Sequence, residues 1–272
     1  MNNILVRSLS GAVFISLILV PLFLENSIIA ISVFFGFMIL GIVEYGKLFK
    51  NVPSVQINWK LNTFFSVLIS IIITFSVLQS NLLYIFTVFP LIIIWNSTEL
   101  WRKKQNPLLN IGVSLYGFIY ICIPFILAIY IDFLDKEQFP VLVGMFILIW
   151  TNDTFAFLSG KFFGKTKLFE RISPKKTWEG TIGGVVCTFL MAYGISTLFY
   201  TDQLLFWLIS VLFIVPAAIY GDLLESLFKR SLGIKDSGNI MPGHGGILDR
   251  FDAAFFAIPL FLFWLHLYKF LF

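Results

Sequence analysis

The sequence predicts an all-α integral membrane protein with about nine transmembrane helices, its N-terminus in the cytoplasm and its C-terminus outside. Of the 272 residues, 58% are hydrophobic and only 12% are charged, whereas soluble domains carry about 25% charged residues. The apolar residues form runs of about 17–22 residues, near the ~20 that a helix needs to cross a bilayer. The basic residues are confined to alternate loops, as the positive-inside rule describes.

Each apolar run is predicted as a helix because an open strand leaves its backbone groups unsatisfied in lipid. Short polar breaks at residues 25–26 and 79–81 predict tight helix hairpins. With the N-terminus inside, 17 of the 19 Lys and Arg residues face the cytoplasm, and only Lys136 and Lys269 lie outside. The predicted spans are residues 8–24, 27–46, 62–79, 81–98, 111–131, 140–159, 180–200, 204–221 and 252–271.

The domain organisation predicted from the sequence is a single polytopic membrane domain over residues 1–272. Two cytoplasmic loops, 160–179 and 222–251, are longer than the others and rich in charge, and loops of this kind usually carry function. We therefore expect both loops to contribute to an active site. The net charge of +4 does not indicate nucleic-acid binding, because the bases lie in short loops between apolar spans.

Pairs of carboxylates stand three residues apart at two predicted helix ends. Asp249 and Asp252 share one face at the start of the last span, where N-terminal capping is a competing explanation. Asp222 and Glu225 lie at the predicted end of the eighth span, where negative charge opposes the helix dipole. Glu225 has an i,i+4 partner in Lys229, but Asp222 has none in its helix. Because Mg²⁺ takes one or two carboxylates and completes its shell with phosphates and water, we predict Asp222, Asp249 and Asp252 as metal ligands.

Three further acids lie within or near apolar spans. Counting from Pro140 at 1.5 Å per residue, Asp153 is predicted roughly 20 Å into the membrane. An ionisable group at that depth is a functional candidate, with a neutral acid that joins helices as the alternative. Glu44 and Glu99 lie nearer the predicted interfaces, where contact with solvent accounts for them.

The long loops also supply candidate anion-binding groups. Lys175 and Lys176 stand beside hydroxyls in residues 173–180, where lipid headgroups or nucleotide phosphates are candidate ligands; the alternative is a plain positive-inside anchor. His244 lies among glycines, where it packs little, so hydrogen bonding to a phosphate is weighed against a surface role. No Cys/His set has the spacing of a zinc site.

Residues 226–252 combine bases, carboxylates and five glycines within 27 residues. Their order closely resembles the signature of the phosphatidate cytidylyltransferases, also called CDP-diacylglycerol synthases. That signature runs Ser-x-apolar-Lys-Arg, Lys-Asp, Pro-x-His-Gly-Gly and Asp-Arg-x-Asp. Met241 departs from it only in the choice of apolar residue, and residues 153 and 173–180 also look like elements of the family. The matching positions are Ser226, Lys229, Arg230, Lys235, Asp236, Pro242, His244, Gly245, Gly246, Asp249, Arg250 and Asp252.

The resemblance implies transfer of CMP from CTP to phosphatidate, giving CDP-diacylglycerol and pyrophosphate in phospholipid biosynthesis, with Mg²⁺ or Mn²⁺ as cofactor. A phosphatidate oxygen is already an anionic nucleophile, so the protein is expected to work by positioning and electrostatics. Asp222, Asp249 and Asp252 would hold the metal, with Asp153 facing the same cavity. The phosphates would be held by Lys229, Arg230, Lys235 and Arg250, with Lys175, Lys176, Asp236 and His244 as further substrate-binding residues.

The resemblance further implies a location in the bacterial plasma membrane, with an active site that faces the cytoplasm. It also implies membrane lipid as a partner, a homodimer, and no nucleic acid. Two other functions stay open on the sequence alone. A CTP-using lipid kinase would need similar groups and a general base for a neutral alcohol. An ion-coupled transporter would use Asp153 as its coupling site, although neither inverted repeats nor broken helices are evident in the sequence.

Overall fold

The computed structural model describes residues 3–24, 26–134, 139–238, 240 and 245–272. Within them the chain forms helices joined by short turns, with 3₁₀ segments at Phe49–Asn51 and Leu82–Thr87 and a π-helical turn at Phe118–Cys122. The α-helices are α1 (Asn3–Leu22), α2 (Ser27–Leu48), α3 (Trp59–Leu78), α4 (Val88–Ser97), α5 (Glu99–Arg102), α6 (Pro107–Gly117), α7 (Ile123–Leu134), α8 (Val141–Phe163), α9 (Trp178–Phe199), α10 (Leu204–Ser231) and α11 (Leu248–Leu271).

Eight helical segments of the described residues are long and apolar enough to cross a membrane, and a shorter apolar helix covers Ser8–Leu22. Each of the nine predicted spans corresponds to one of these segments. The predicted class, an all-α integral membrane protein, is therefore confirmed. The eight long segments are Ser27–Asn51, Trp59–Leu78, Leu82–Arg102, Pro107–Leu134, Val141–Phe163, Trp178–Phe199, Leu204–Ser231 and Leu248–Leu271.

The helices extend beyond the ends predicted from hydropathy. α10 continues to Ser231, although the predicted span ends at residue 221, and α11 begins at Leu248 instead of 252. Hydropathy marks the apolar length of a helix, whereas the backbone hydrogen bonds continue into its polar end. Much of the predicted loop 222–251 is therefore helical, and Asp222 lies within α10, well before its end.

The other predicted loop, 160–179, contains a small antiparallel hairpin. Strand β1 (Lys167–Phe169) pairs with β2 (Ser173–Thr177), with Lys167 opposite Thr177 and Phe169 opposite Ser173. A two-stranded hairpin is marginally stable by itself, and here it is held between α8 and α9, both of which contact β2. The hairpin was not predicted from the sequence.

The fold divides into two compact units, and the first comprises Met1–Lys136 and Asp236–Arg250. In this unit α2 packs against α1, α3 and α7. The Tyr45 ring occupies the space left by the missing side chain of Gly117, and its hydroxyl donates to the Val113 carbonyl at 2.9 Å. Buried polar residues recur at four-residue spacing on α3, a pattern by which helices associate in lipid: Asn62, Ser66, Ser70 and Thr74.

The second unit comprises Glu137–Lys235 and Phe251–Phe272. In it α8 packs along α9, and α10 contacts both. Fully buried Trp207 of α10 lies against Gly144 of α8, where a larger residue would clash. Trp264 of α11 donates from Nε1 to the Phe206 carbonyl at 3.0 Å. This division does not test the prediction of one membrane domain, which stays a prediction.

Candidate active site

A cavity of about 660 Å³ opens in the second unit between α8, α9, α10 and the hairpin. Its wall combines two carboxylates, several ammonium groups, hydroxyls and a buried amide, which is an unusual set within membrane-spanning helices. The lining residues are Asn152, Asp153, Ala156, Phe157, Gly160, Lys161, Lys167, Ser173, Lys175, Lys176, Thr177, Thr181, Ile219 and Asp222.

The wall formed by α8 and α9 depends on glycines. A Cβ at Gly180 would come within 2.6 Å of the Ala156 carbonyl oxygen, and one at Gly184 within 2.7 Å of Asn152 Oδ1. Real Cβ atoms do not approach so closely, so only glycine allows the two helices to pack at this distance. The contact between Gly184 and Asn152 fixes Asp153, which follows Asn152 on α8, at the cavity.

The hairpin presents the paired lysines to the cavity. Thr177, at the end of β2, accepts the Gly180 N–H on its Oγ1 at 3.2 Å and so caps the N-terminus of α9. Glu179, in the first turn of α9, accepts the N–H groups of Lys165 and Thr166 at 3.0 and 3.1 Å. These bonds tie the hairpin to α9 at both ends, which holds Lys175 and Lys176 at the cavity wall.

Asp222 has two partners in the second unit. Its carboxylate forms an ion pair with the Lys176 ammonium and accepts a hydrogen bond from Ser226 Oγ at 3.3 Å. The cation that pairs with Asp222 comes from the hairpin and not from α10, as expected from the lack of a basic partner one turn away; within α10 its described contact is the Ser226 hydroxyl. The structure brings Asp153, Lys176 and Asp222, all candidates from the sequence, to one cavity.

Asp252 lies beside this group through the contact of α10 with α11. The backbone of α11 at Asp252 passes so close to Gly221 that a Cβ there would collide with the Asp252 carbonyl oxygen. Asp222 is the next residue after Gly221, and its charge acts on the Asp252 carboxylate, as do those of Asp153 and Glu225. Acidic groups from three helices therefore converge in the second unit.

Buried Glu225 has its own cation. It forms an i,i+4 ion pair with Lys229 on α10, as the spacing predicts. The Arg230 guanidinium donates to the Ile234 carbonyl at 3.2 Å, and the Lys235 side chain is exposed. In the second unit, none of these three bases is among the residues that line the cavity.

In the first unit, Asp249 binds backbone groups. Its Oδ2 accepts the N–H of Ser237 at 3.0 Å and that of Gly246 at 2.8 Å. Asp249 lies in the first turn of α11, but both N–H groups that it accepts precede the helix, and its role as a metal ligand stays a prediction. Asp236 and Arg250 have exposed side chains. His244 lies outside the described residues.

Two acids that were attributed to solvent contact are instead bonded inside the first unit. Glu44 is only 4% exposed, and its carboxylate accepts the N–H groups of Ile247 and Leu248 and the Ser237 hydroxyl. Glu99 pairs with Arg102 and accepts from Asn110 Nδ2 at 3.4 Å. The prediction that solvent accounts for Glu44 and Glu99 is wrong.

Sequence reasoning also missed polar residues of the cavity. Lys161 and Lys167 line it together with Lys175 and Lys176, so four ammonium groups share its wall with the acids. Asn152 lines it too; its Oδ1 is buried and has no hydrogen-bond partner among the described residues. The dense run of bases in residues 161–176 is the available signal, but for Lys161 and Lys167 it predicts only membrane orientation.

Carboxylate and amide oxygens of this kind suit a hard cation such as Mg²⁺. Among the described residues, no three His, Cys, Asp or Glu side chains are close enough together to hold an ion by themselves. Mg²⁺ usually takes only one or two carboxylates and completes its shell with substrate phosphates and water. The pairing of carboxylates with four lysines fits that mode of binding, in which protein and substrate share the ion.

The fold and the cavity thus define a polytopic membrane protein with a charged site for an anionic ligand among its helices. The sequence matches the Cytidylyltransferase family over residues 5–268, and the chain belongs to that family. The match extends over almost the whole chain, so it includes every helix that forms the cavity.

Individual relatives match a shorter stretch. The phosphatidate cytidylyltransferase of Staphylococcus saprophyticus is 37% identical over 160 residues, 58% of this chain and 60% of that protein. That of Rickettsia typhi is 40% identical over 160 residues, 56% of this chain and 69% of that protein. That of Haemophilus influenzae is 37% identical over 176 residues, 61% of this chain and 59% of that protein. The matched stretch therefore spans about three fifths of the length of the first and third of these relatives.

Proposed function

We propose that the protein is a phosphatidate cytidylyltransferase, which transfers CMP from CTP to phosphatidate and releases pyrophosphate. The observation that carries the proposal is the cavity between three apolar helices and the hairpin, which four lysines line together with Asp153 and Asp222. Both substrates are anions, and one of them is a lipid. A charged cavity within the membrane domain suits such a pair, and the names of the relatives point to the same reaction.

The reaction needs no nucleophile from the protein. An oxygen of the phosphatidate phosphate attacks the α-phosphorus of CTP and forms the new P–O bond. The bond from that phosphorus to the bridging oxygen breaks, and its electron pair leaves with pyrophosphate. The main obstacle is to bring two polyanions together and to stabilise the charge that develops on the leaving group. Lys161, Lys167, Lys175 and Lys176 would supply compensating positive charge from the wall of the cavity.

Mg²⁺, or Mn²⁺ in its place, would be held by Asp222 and Asp252, with Asp153 as the neighbouring acid. When bound, the ion would neutralise phosphate oxygens and stabilise the departing pyrophosphate. Asn152 offers a further oxygen acceptor at the cavity. Asp249 stands one helical turn before Asp252 in α11, and its proposed part in metal binding rests on the family signature.

The remaining signature residues are proposed as substrate ligands on the resemblance alone. Their positive side chains would hold the triphosphate and the phosphatidate headgroup, while the acid and the imidazole would contact the nucleotide or a phosphate. These residues are Lys229, Arg230, Lys235, Arg250, Asp236 and His244.

We propose that the protein resides in a bacterial plasma membrane with the cavity open to the cytoplasm. The cytoplasm supplies CTP, and the confinement of 17 of 19 Lys and Arg residues to alternate loops supports this orientation. The resemblance also implies a homodimer, and light scattering of the protein in detergent tests that oligomeric state.

The decisive experiment supplies the purified protein with phosphatidate vesicles and CTP labelled at either the α- or the γ-phosphate. Label from the α-position should enter the lipid phase, and label from the γ-position should appear in pyrophosphate. A lipid kinase would instead transfer the γ-label to lipid and release CDP. Solute uptake by liposomes without turnover of CTP would indicate a transporter. Either of these results would overturn the proposal.

A further inference from the structure

Glu44 accepts three hydrogen bonds in the first unit, all from residues 237–248. From α2 it accepts the Ile247 N–H on Oε2 at 2.9 Å and the Leu248 N–H on Oε1 at 3.1 Å. Oε1 also accepts the hydroxyl of Ser237 at 2.5 Å. One carboxylate thus binds donors at both ends of the segment 237–248. These partners lie 193 to 204 residues away along the chain.

The location of these donors explains why an acid is stable in a buried position. Leu248 is the first residue of α11, where backbone N–H groups have no partner inside the helix and the helix dipole is positive. Glu44, on α2, accepts two such N–H groups at the start of α11. An N-cap side chain accepts N–H groups of its own helix in the same way. Charged hydrogen bonds of this kind are stronger than neutral ones.

The backbone around the Glu44 carboxylate leaves no room for side chains. A Cβ at Gly238 would lie 2.7 Å from Glu44 Oε2, and one at Gly246 would collide with the same carboxylate. Gly238, and Gly246 of the family signature, therefore have a defined physical role: they let the backbone close around Glu44. This role is distinct from direct approach of the backbone to a substrate.

Asp249 completes the arrangement from within the segment. Its Oδ2 accepts the N–H of Ser237 and that of Gly246, so Ser237 binds Asp249 through its backbone and Glu44 through its hydroxyl. The two acids share one bonded network, in which Glu44 fixes the backbone next to Asp249. A change at Glu44 is therefore transmitted to the position of the Asp249 carboxylate.

We propose that Glu44 is a positioning residue for the reaction: its buried carboxylate holds Ser237, Ile247 and Leu248, the described ends of the signature segment (residues 237–248), and thereby sets the placement of Asp249. The expected change in kinetics rests on the proposed function. The expected change in backbone protection does not, because it is measured on the protein without substrate.

The kinetic test uses Glu44→Gln, which keeps the size of the side chain but replaces one acceptor oxygen by an NH₂ group that faces N–H donors. Loss of a residue that orients a metal ligand typically reduces metal affinity or activity about 10- to 100-fold. We expect the Mg²⁺ concentration for half-maximal activity to rise by about that factor per folded molecule, with the KM for phosphatidate unchanged. Glu44→Asp, which keeps the charge, should lie between the variant and the wild type.

The matched control is Glu99→Gln. Glu99 is another partly enclosed acid of the first unit, bonded to Arg102 and Asn110, and it does not contact the signature segment among the described residues. Its loss should lower thermal stability without changing the Mg²⁺ dependence. If Glu44→Gln shows the same kinetics as Glu99→Gln, Glu44 acts through stability alone and the proposal is wrong.

The second readout is amide hydrogen exchange in detergent without CTP or metal. Glu44→Gln should speed exchange at Ile247 and Leu248 by about tenfold or more, the effect of losing a charged hydrogen bond; α8 and α9 should be unchanged. Uniform acceleration over the whole chain, or none, would overturn the proposal. If Glu44→Gln does not fold, Ser237→Ala removes one donor and should give a smaller shift in the same direction. If the wild-type protein does not convert CTP and phosphatidate, the proposed function is refuted. Amide hydrogen exchange would still decide whether Glu44 positions the backbone.

Discussion

The Lys176 ammonium forms an ion pair with the Asp222 carboxylate and so connects the β1–β2 hairpin to α10. The pair joins a base to an acid in one cavity, although the two residues belong to separate segments of the sequence. Each partner has a proposed function in addition to the pairing itself: the lysine in binding phosphate and the acid in binding metal.

Lys176→Met should weaken CTP binding. The substitution keeps most of the apolar length of the side chain and removes the charge, so KM for CTP should rise by about 10- to 100-fold, the effect of one charged hydrogen bond. Steady-state kinetics with varied CTP measure this. Lys269→Met is the control, because this exposed lysine lies in the last turn of α11 and should leave KM unchanged. Equal KM values for Lys176→Met and wild type would remove Lys176 from the site.

Asp222→Asn should reduce turnover by about 10²–10³-fold, the range found when one group that stabilises transition-state charge is lost. The amide is similar in size, so the variant should remain folded, as size-exclusion chromatography and thermal unfolding in detergent would show. Asp202→Asn changes an exposed acid in the turn before α10 and should retain full turnover. Near-normal activity of Asp222→Asn would contradict the proposed metal assignment.

Removal of divalent cations should abolish activity. Excess EDTA would take Mg²⁺ from a site in which only one or two carboxylates and the substrate hold it. Addition of Mg²⁺ or Mn²⁺ above the chelator concentration should restore turnover, as measured by release of pyrophosphate. Full activity in excess EDTA would argue for a mechanism in which the lysines alone neutralise the phosphates.

Gly221→Ala should lower both stability and turnover. The added methyl group would collide with the backbone of Asp252, and overpacking of this kind costs about 1–3 kcal/mol. Since Asp222 adjoins Gly221, the shift would also move two proposed metal ligands apart. Gly194→Ala, on α9, meets nothing within 4 Å and should stabilise the helix by up to about 1 kcal/mol. A Gly221→Ala protein as stable and active as wild type would contradict the close contact.

The proposed orientation predicts which loops are accessible from each side of the membrane. In a background with Cys122 and Cys187 replaced by serine, Asp202→Cys should react with a membrane-impermeant maleimide in intact spheroplasts. Lys104→Cys should react only after the membrane is opened. The reverse pattern would place the cavity on the outer side and contradict the proposed source of CTP.

The sequence predicts the spans well because the chemistry of lipid imposes both their length and their composition. It predicts the C-terminal end of α10 and the N-terminal end of α11 poorly, because residues 222–231 include charged and polar side chains and still form helix. The hairpin β1–β2 has no apolar alternation of its own and depends on α8 and α9. Neither its strands nor the presence of Lys167 at the cavity could be derived from local pattern.

Among the candidate site residues, the structure brings Asp153, Lys175, Lys176 and Asp222 to one cavity. Asp222 is a candidate because negative charge opposes the dipole at a helix C-terminus. That C-terminus was predicted at residue 221, whereas α10 ends at Ser231. The dipole argument applies better to Glu44, which lies close to the C-terminus of α2 at Leu48. In the sequence, however, its position near the predicted membrane interface accounts for the charge through contact with solvent. Buried bonding to a distant segment is not visible in local sequence.

The long sequence separation between Glu44 and its donors has a consequence for biogenesis. The ribosome makes α2 early, and Ser237, Ile247 and Leu248 follow 193 to 204 residues later. Until then the acid lacks these donors, and an unpaired charge is costly in hydrocarbon. The first unit therefore closes only after the start of α11 has been synthesised, and nascent chains that stop short of α11 should be substrates for membrane proteases.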